Sequence, residues 1–389
     1  MGCNERNDAT PLSSTASRDG GVGGTPYNPD DRFLVVSDEI ETVSEIPFIS
    51  TVGSPSKTRT LYKCIIPLGS GQHKFRVFLW HLHDAPDVST MYFKLLASLS
   101  VGTGTANDIV WEADATNDLI KMGKCIAKSQ LYTLYDGPHS TEDLSTTEKV
   151  LFASHCTRKQ VVGAVVEFTV QLDQACDLHL RTTANDTTAI PGSFGNAMSQ
   201  MNPDSTKRHV RGWWTKSSVT LSLGTFDATP LVGVGHQQYQ LCPQDGKEWT
   251  TPEGFQKMSG TGHSEDLSNV GAYGANLYYD LSLTNTGGSN APVYAFLLAY
   301  DHYPNDHSKY LNYYGASYIA DPANYQWGVP SLCLVPDGIQ AIKLNSPDPV
   351  LVPPGGCTMK IGLANGGGSS TPILLYVNKI DAVPPVDPG

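Results

Sequence analysis

The chain has 389 residues, a charged fraction of 16% and a net charge of −12 from 38 acidic and 26 basic residues. Nucleic-acid binding needs clustered Lys and Arg to displace phosphate counterions; the basic residues here are scattered, which excludes nucleic acid and disfavours an anionic membrane surface. No apolar run reaches the roughly 18 residues that a membrane-spanning helix requires, so no transmembrane segment is encoded. The length suits two domains of nearly equal size, and a hydrophobic fraction of 40% is ample for two cores. With 37 Gly and 26 Pro, the composition favours short strands joined by tight turns, because Gly supplies positive φ and Pro presets a turn φ.

Residues 1–30 are rich in Gly, Ser, Thr and Asp, lack hydrophobic periodicity, and are predicted to form a disordered tether. They contain no apolar signal region, so no intact signal peptide is expected within them. Gly2-Cys3 nevertheless resembles the end of a bacterial lipobox, which makes Cys3 a candidate for lipid attachment, the sole expected membrane contact; the alternative is a chance cysteine.

A first domain is expected over 31–185, with strands at Phe33–Ser37, 60–67, 74–82, 91–99, Val161–Leu172 and 178–182. Within Val161–Leu172, Val162, Ala164, Val166, Phe168 and Val170 alternate with more polar neighbours, which predicts one face on a core and one in solvent. The segment 114–128 is the best helical candidate. Residues 186–207, with Gly, Pro, Asn and Ser and no periodicity, read as a linker. A second domain follows over 208–381, with strands near 218–223, 230–241, 275–284, 293–300, 339–344, 359–363 and 373–377, and a tail at 382–389. Glycine- and proline-rich turns at 285–288, 353–356 and 365–368 separate them.

Strands of this length at this spacing, with almost no crossover helices, argue for antiparallel sandwiches rather than a parallel sheet. The predicted class is all-β, two antiparallel β-sandwich domains (jelly-roll or Ig-like) in tandem. The halves also echo one another: 75–87 (FRVFLWHLHDAPD) and 293–306 (VYAFLLAYDHYPND) are apolar strands that end in a His/Asp/Pro loop.

Several segments together resemble an uncharacterised group of secreted bacterial proteins with paired β-sandwich domains. They are LVVSDEIE (34–41), LYKCIIPLGSG (61–71), RVFLWHLHD (76–84), HVRGWW (209–214), GAYGANLYYDLSLTN (271–285), VLVPPGG (350–356) and LANGGGSSTPILLYV (363–377). The resemblance implies export, two sandwiches and no established catalytic residues.

The eight cysteines show neither C-x-x-C nor zinc-ligand spacing. Cys64, Cys242 and Cys333 sit in apolar runs and read as small buried hydrophobes, with disulfides as the alternative; connectivity is not legible from sequence. His81-x-His83 with Asp84 is the metal candidate, because residues two apart on a strand share a face and two imidazoles reach one ion. Asp301 or His302 would supply a further ligand. The competing reading is a pair of solvent-facing histidines at a sheet edge. A divalent ion there is the only cofactor the pattern admits.

Asp301-His302 and Asp306-His307, beside Tyr300, Tyr303 and Tyr310, form a second polar cluster in which a carboxylate could orient an imidazole. Aromatic enrichment is stronger: Tyr310, Tyr313, Tyr314, Tyr318, Tyr325 and Trp327 lie near Asn312, Asp321 and Asn324. Flat rings beside amides and carboxylates suit sugar faces, protein interfaces or core packing. No G-x-S-x-G, P-loop, dinucleotide fingerprint or H-E-x-x-H is present; Asn185-Asp186-Thr187 is the clear glycosylation sequon.

The functional expectation is a non-enzymatic protein, extracellular or at the cell surface, presenting loops to a glycan polymer or a protein subunit. The alternatives are a structural subunit of a virion or surface assembly and a secreted metal-assisted hydrolase.

Overall fold

The structure, a computed structural model, describes residues 10–12, 32–38, 42–44, 48–51, 54–132, 135, 139–188, 211–230, 235–241, 269, 272–300, 313–320, 326–334, 339–345, 348–367 and 373–382. The first half opens with β1 (Thr10–Leu12), β2 (Phe33–Ser37), β3 (Thr42–Val43) and β4 (Phe48–Thr51). It continues with β5 (Ser54–Leu68), β6 (Gly71–His83), β7 (Thr90–Leu99), β8 (Gly104–Thr116), α1 (Leu119–Tyr132), β9 (Ser140–Leu144), β10 (Lys149–Thr157), β11 (Val161–Leu172) and β12 (Cys176–Asn185). The second half holds β13 (Arg211–Trp214), β14 (Ser218–Asp227), β15 (His236–Leu241), β16 (Asn276–Thr284), β17 (Ala291–Tyr300) and β18 (Tyr313–Ala320). After these come β19 (Gln326–Leu334), β20 (Ile339–Lys343), β21 (Val350–Val352), β22 (Cys357–Asn365) and β23 (Ile373–Asn378).

The strand order identifies the sandwich type. In the first half β5-β12-β7-β10 form one sheet and β6-β11-β8-β9 the other. Successive strands from β5 to β12 change sheet at every step except β8 to β9, which are neighbours; this is the two-Greek-key jelly roll. The second half repeats it, with β15-β23-β17-β20 facing β16-β22-β18-β19. There β20 and β21 both lie along β17 and act as one interrupted strand. Each half also carries a leading strand parallel to its second one, β2 along β6 and β14 along β16. The expected tandem all-β architecture is therefore present as two jelly rolls of one topology. The sequence echo does not mark this repeat, since β6 is the second strand of its jelly roll and β17 the third of its own.

The first core lies between the two sheets of the first half: Val77 and Leu79 of β6 and Val166, Phe168 and Val170 of β11 meet Ile66, Leu95 and Leu178 from the opposite sheet. The expectation that β11 turns its other face to solvent is wrong. Val161 and Val165 on that face, with Leu34 and Val36 of β2 and Phe78 and Trp80 of β6, belong to the same buried cluster as Leu277, Leu297, Leu363 and Leu375 of the second half. The polar neighbours misled the reading: Gly163 is small because Met122, Trp80 and Ile126 press against it, and Glu167 is a buried ion-pair partner.

Helix α1 fills the gap between the halves. The sequence places a helix over 114–128; residues up to Thr116 instead complete β8, and Asp118 caps the helix by accepting the Lys121 amide at 3.0 Å. Ala127, Leu131 and Tyr132 pack on Tyr278, Ala316, Tyr318 and Ala364 of the second half. Gln130 Nε2 donates to the Ala275 carbonyl at 2.8 Å and to Asn276 Oδ1 at 2.9 Å, and the Tyr132 hydroxyl donates to the Ser317 carbonyl at 2.6 Å.

The halves also share edge strands, which moves the expected boundaries. Strand β13, assigned by sequence to the second domain, pairs antiparallel with β2 and extends the first half's sheet. Its Trp213 enters the first core and Trp214 the shared one. Strand β1, inside the expected disordered tether, pairs antiparallel with β19 of the second half. The edge of a sheet is a row of open backbone donors and acceptors, and even a polar segment gains by satisfying them. Most of the expected 186–207 linker, from 189 onward, lies outside the described residues.

The turn after β22 shows how close the halves approach. The sequence reads 365–368 as an ordinary glycine turn, yet a Cβ on Gly366 would overlap the Gly123 carbonyl of α1, and one on Gly367 would meet Trp80 and Phe78. Gly366→Ala is therefore expected to destabilise the chain by about 3 kcal/mol, the upper end of overpacking costs, in urea unfolding. A loss below about 0.5 kcal/mol, typical of surface changes, would contradict so close an approach.

Candidate functional site

His81 and His83 share a face, as two-residue spacing requires, but the face is interior. Strand β6 is central, flanked by β11 on one side and by β2 and β3 on the other, so neither a solvent edge nor an open metal site exists there. The two residues are 1% and 0% exposed. His83 Nε2 donates to the Val88 carbonyl at 3.0 Å while its Nδ1 accepts the Ala85 amide at 3.3 Å, so both ring nitrogens are engaged. Burial, chiefly, lowers its pKa and keeps it neutral. His81 Nε2 lies 3.1 Å from Ser37 Oγ, which in turn bonds Thr182 Oγ1 at 2.8 Å, and the ring stacks on Phe93. Asp84 turns to the β10–β11 turn and pairs with Lys159 at 2.6 Å and Arg158 at 3.3 Å; the Lys159 bond is the main reason its pKa is lowered. The metal reading is corrected accordingly. Among the described residues no group of three or more His, Cys, Asp or Glu is placed to hold an ion.

The aromatic cluster is not one platform either. Tyr318 is 0% exposed and packs among Tyr278, Leu131 and Tyr132 in the junction between halves, which removes it from any ligand surface. Strands β18 and β19 place Tyr313 and Tyr314 opposite Leu334 and Cys333, and Trp327 opposite Ile319. Five residues of strand separate the Tyr314 and Trp327 positions, roughly 17 Å along the sheet. Tyr310 and Tyr325 lie outside the described residues, as do Cys3, Asp301, His302, Asp306 and His307.

Cys64 behaves as expected for a core thiol: it is free, and burial pushes its pKa up to about 12, which leaves no thiolate for chemistry at neutral pH. Cys125 of α1 is disulfide-bonded. Cys242 and the side chain of Cys333 lie outside the described residues. The sequon asparagine is unavailable: Asn185 is buried, its Nδ2 donates to Thr58 Oγ1 at 2.8 Å and its Oδ1 accepts from Thr183 at 2.8 Å.

The most unusual polar group in the described structure is one that sequence reasoning passed over. Arg76 of β6 and Glu167 of β11 stand directly opposite each other, with Arg76 Nε 2.7 Å from Glu167 Oε1 and side-chain exposures of 3% and 5%. Arg32 adds a second cation 3.2 Å from Glu167 Oε2. Arg76 Nη1 also donates to the Gly274 carbonyl of the second half at 3.3 Å. Burial opposes ionisation of Glu167, but Arg76 and then Arg32 overcome it and hold the carboxyl below its ordinary value. Burial, followed by the Glu167 charge, raises the Tyr135 phenol well above its own. The signal was legible: on two apolar strands a charge stands between hydrophobes, Arg76 between Phe75 and Val77 and Glu167 between Val166 and Phe168, of opposite sign. Through the Gly274 carbonyl this cluster ties the first half to the second, so its role is cohesive.

No family model and no curated protein matches the chain. Among solved structures, a CBM4 chain is 12% identical, with a TM-score of 0.14, over 42% of this chain and 92% of that one. The tandem CBM22-1–CBM22-2 domain of Paenibacillus barcinonensis Xyn10C is 12% identical at a TM-score of 0.17, covering 98% of this chain and 100% of that one. A chain of Broad Bean Stain Virus is 8% identical at 0.15, covering 82% and 88%. Scores this low carry no inference about what the chain does.

Removing the Glu167 charge leaves Arg76 buried without its counter-ion, so Glu167→Gln is expected to cost about 3–5 kcal/mol at pH 7. The folded pKa lies below the ordinary 4.5. The contribution is therefore complete above 4.5 and is lost as pH falls through the lower folded value. Denaturant titrations from pH 7 downward should show wild type and variant converging in acid. Parallel curves throughout would contradict an ionised Glu167.

Proposed function

We propose that the chain is a structural subunit that packs with copies of itself into a shell or surface layer. Jelly rolls serve viral capsids, lectins and cupins alike, so the fold alone does not decide between them. The observation that carries the reading is the fusion of two jelly rolls into one block by a shared apolar core, buried hydrogen bonds between the halves and shared edge strands. Binding modules in tandem need only a linker, and small polar interfaces leave them free to move. Here the residues with the look of a site, His81, His83, Tyr318 and Asn185, are consumed in internal packing and hydrogen bonding. A rigid block in which these described polar groups face inward suits repeated packing.

A glycan-binding role is the second reading. It draws on Tyr313 and Tyr314 of β18 and Trp327 of β19, two neighbouring strands toward one side of their sheet. Extracellular or cell-surface location accompanies either reading as part of the proposal.

Light scattering on a sizing column and negative-stain electron microscopy of the full chain, over a range of salt and protein concentration, test this. Regular closed particles or two-dimensional arrays are expected. A discrete monomer under all conditions, retarded in polysaccharide-containing gels and released by Trp327→Ala, would put the glycan reading in its place.

A further inference from the structure

Large apolar side chains exposed among the described residues are Val101, Leu119, Leu351 and Ile380. Contact between copies can also draw on the backbone. Backbone edges are the obvious resource, because an open strand edge pairs with any extended segment that reaches it.

Strand β19 offers such an edge. One side is paired along its length with β18, from Tyr313↔Leu334 to Ala320↔Gln326. The other side is paired with β1 over three residues, Thr10↔Gly328, Pro11↔Trp327 and Leu12↔Gln326. Continuing β1 toward its amino terminus in this register would soon bring it to Pro330, which has no N–H to give. Three pairs, at about 0.5–1.5 kcal/mol net per hydrogen bond, hold weakly.

The tether is long. Nineteen residues, 13 to 31, separate β1 from Arg32 and span up to roughly 65 Å when extended. The longest strand, β5, has 15 residues and is about 50 Å long. The contrast with β13 is instructive: its tryptophans are buried and β14 begins four residues after it ends, so that strand is bound to its own chain.

We propose that β1 is an exchangeable arm, and that in the assembled protein Thr10–Leu12 of one copy pairs with the β19 edge of a neighbouring copy. This rests on the assembly reading above. Exchange makes the same three pairs between copies that are made within one, so no contact is lost. Each arm weakly held becomes a repeated link in an array, where its effective concentration is high.

The test places the photo-reactive residue benzoylphenylalanine at Pro11 of the full chain. Light and isotopically heavy protein are mixed before assembly, irradiated, and peptides containing 326–328 are read by mass spectrometry. Heavy–light cross-linked pairs in assembled material are expected, and deletion of residues 1–12 should raise the concentration needed for assembly about tenfold. Assemblies whose cross-links join only peptides of one isotope would overturn the exchange and leave the assembly reading intact. If light scattering finds no assembly in any mixture, both fall together, and that outcome is distinguishable from the first.

Discussion

The seven-stranded sheet of the first half is apolar on both faces, and the rest of the molecule follows from that. Strands β2, β6 and β11 carry Val35, Val77 and Val166 on one side and Val36, Phe78 and Val165 on the other. One face is covered by the opposite sheet of its own jelly roll. The other would expose several large side chains, each worth about 1.5–3 kcal/mol on burial, unless another body covered it. The second jelly roll and α1 are that body. Once they cover it, Arg76 and Glu167 lose access to water, and two desolvated charges persist only as partners. The pair therefore favours this junction: separating the halves re-solvates it, and a shifted junction would take the Gly274 carbonyl away from Arg76.

This arrangement has a functional consequence. Two repeated jelly rolls on a flexible linker would act as independent modules. Joined through α1, the close approach of Gly123 and Gly366, and the shared strand β13, they present a fixed relative orientation, which repeated packing needs. The same burial accounts for the silence of the residues that looked chemical. His83 has no lone pair free for a metal, and Tyr318 lies beneath α1 rather than at a surface.

Much of the strand content was legible, because alternation and glycine-rich turns are local signals. Phe33–Ser37, Val161–Leu172 and the strands at 275–284 and 373–377 fall close to where the pattern puts them. What failed was what depended on partners. A central position for β6 reversed the meaning of His81 and His83, since periodicity reveals a shared face but not what covers it. The second cover on β11 was hidden by Gly163 and Glu167, which read as solvent-facing when taken alone. Strand sharing by β1 and β13 is a property of sheet edges distant in sequence, and no local pattern in TPL or RGWW encodes its partner. The helix was found but displaced, because Asp114 and Thr116 look like helix starts as readily as Asp118 does.

Differential scanning calorimetry of the intact chain tests the central claim, that the two jelly rolls are one cooperative block. A single transition, with calorimetric and van't Hoff enthalpies equal, is the result the shared core predicts. Two resolved transitions, or a calorimetric enthalpy about twice the van't Hoff value, would mean that the halves unfold independently and that the junction is no more than a contact.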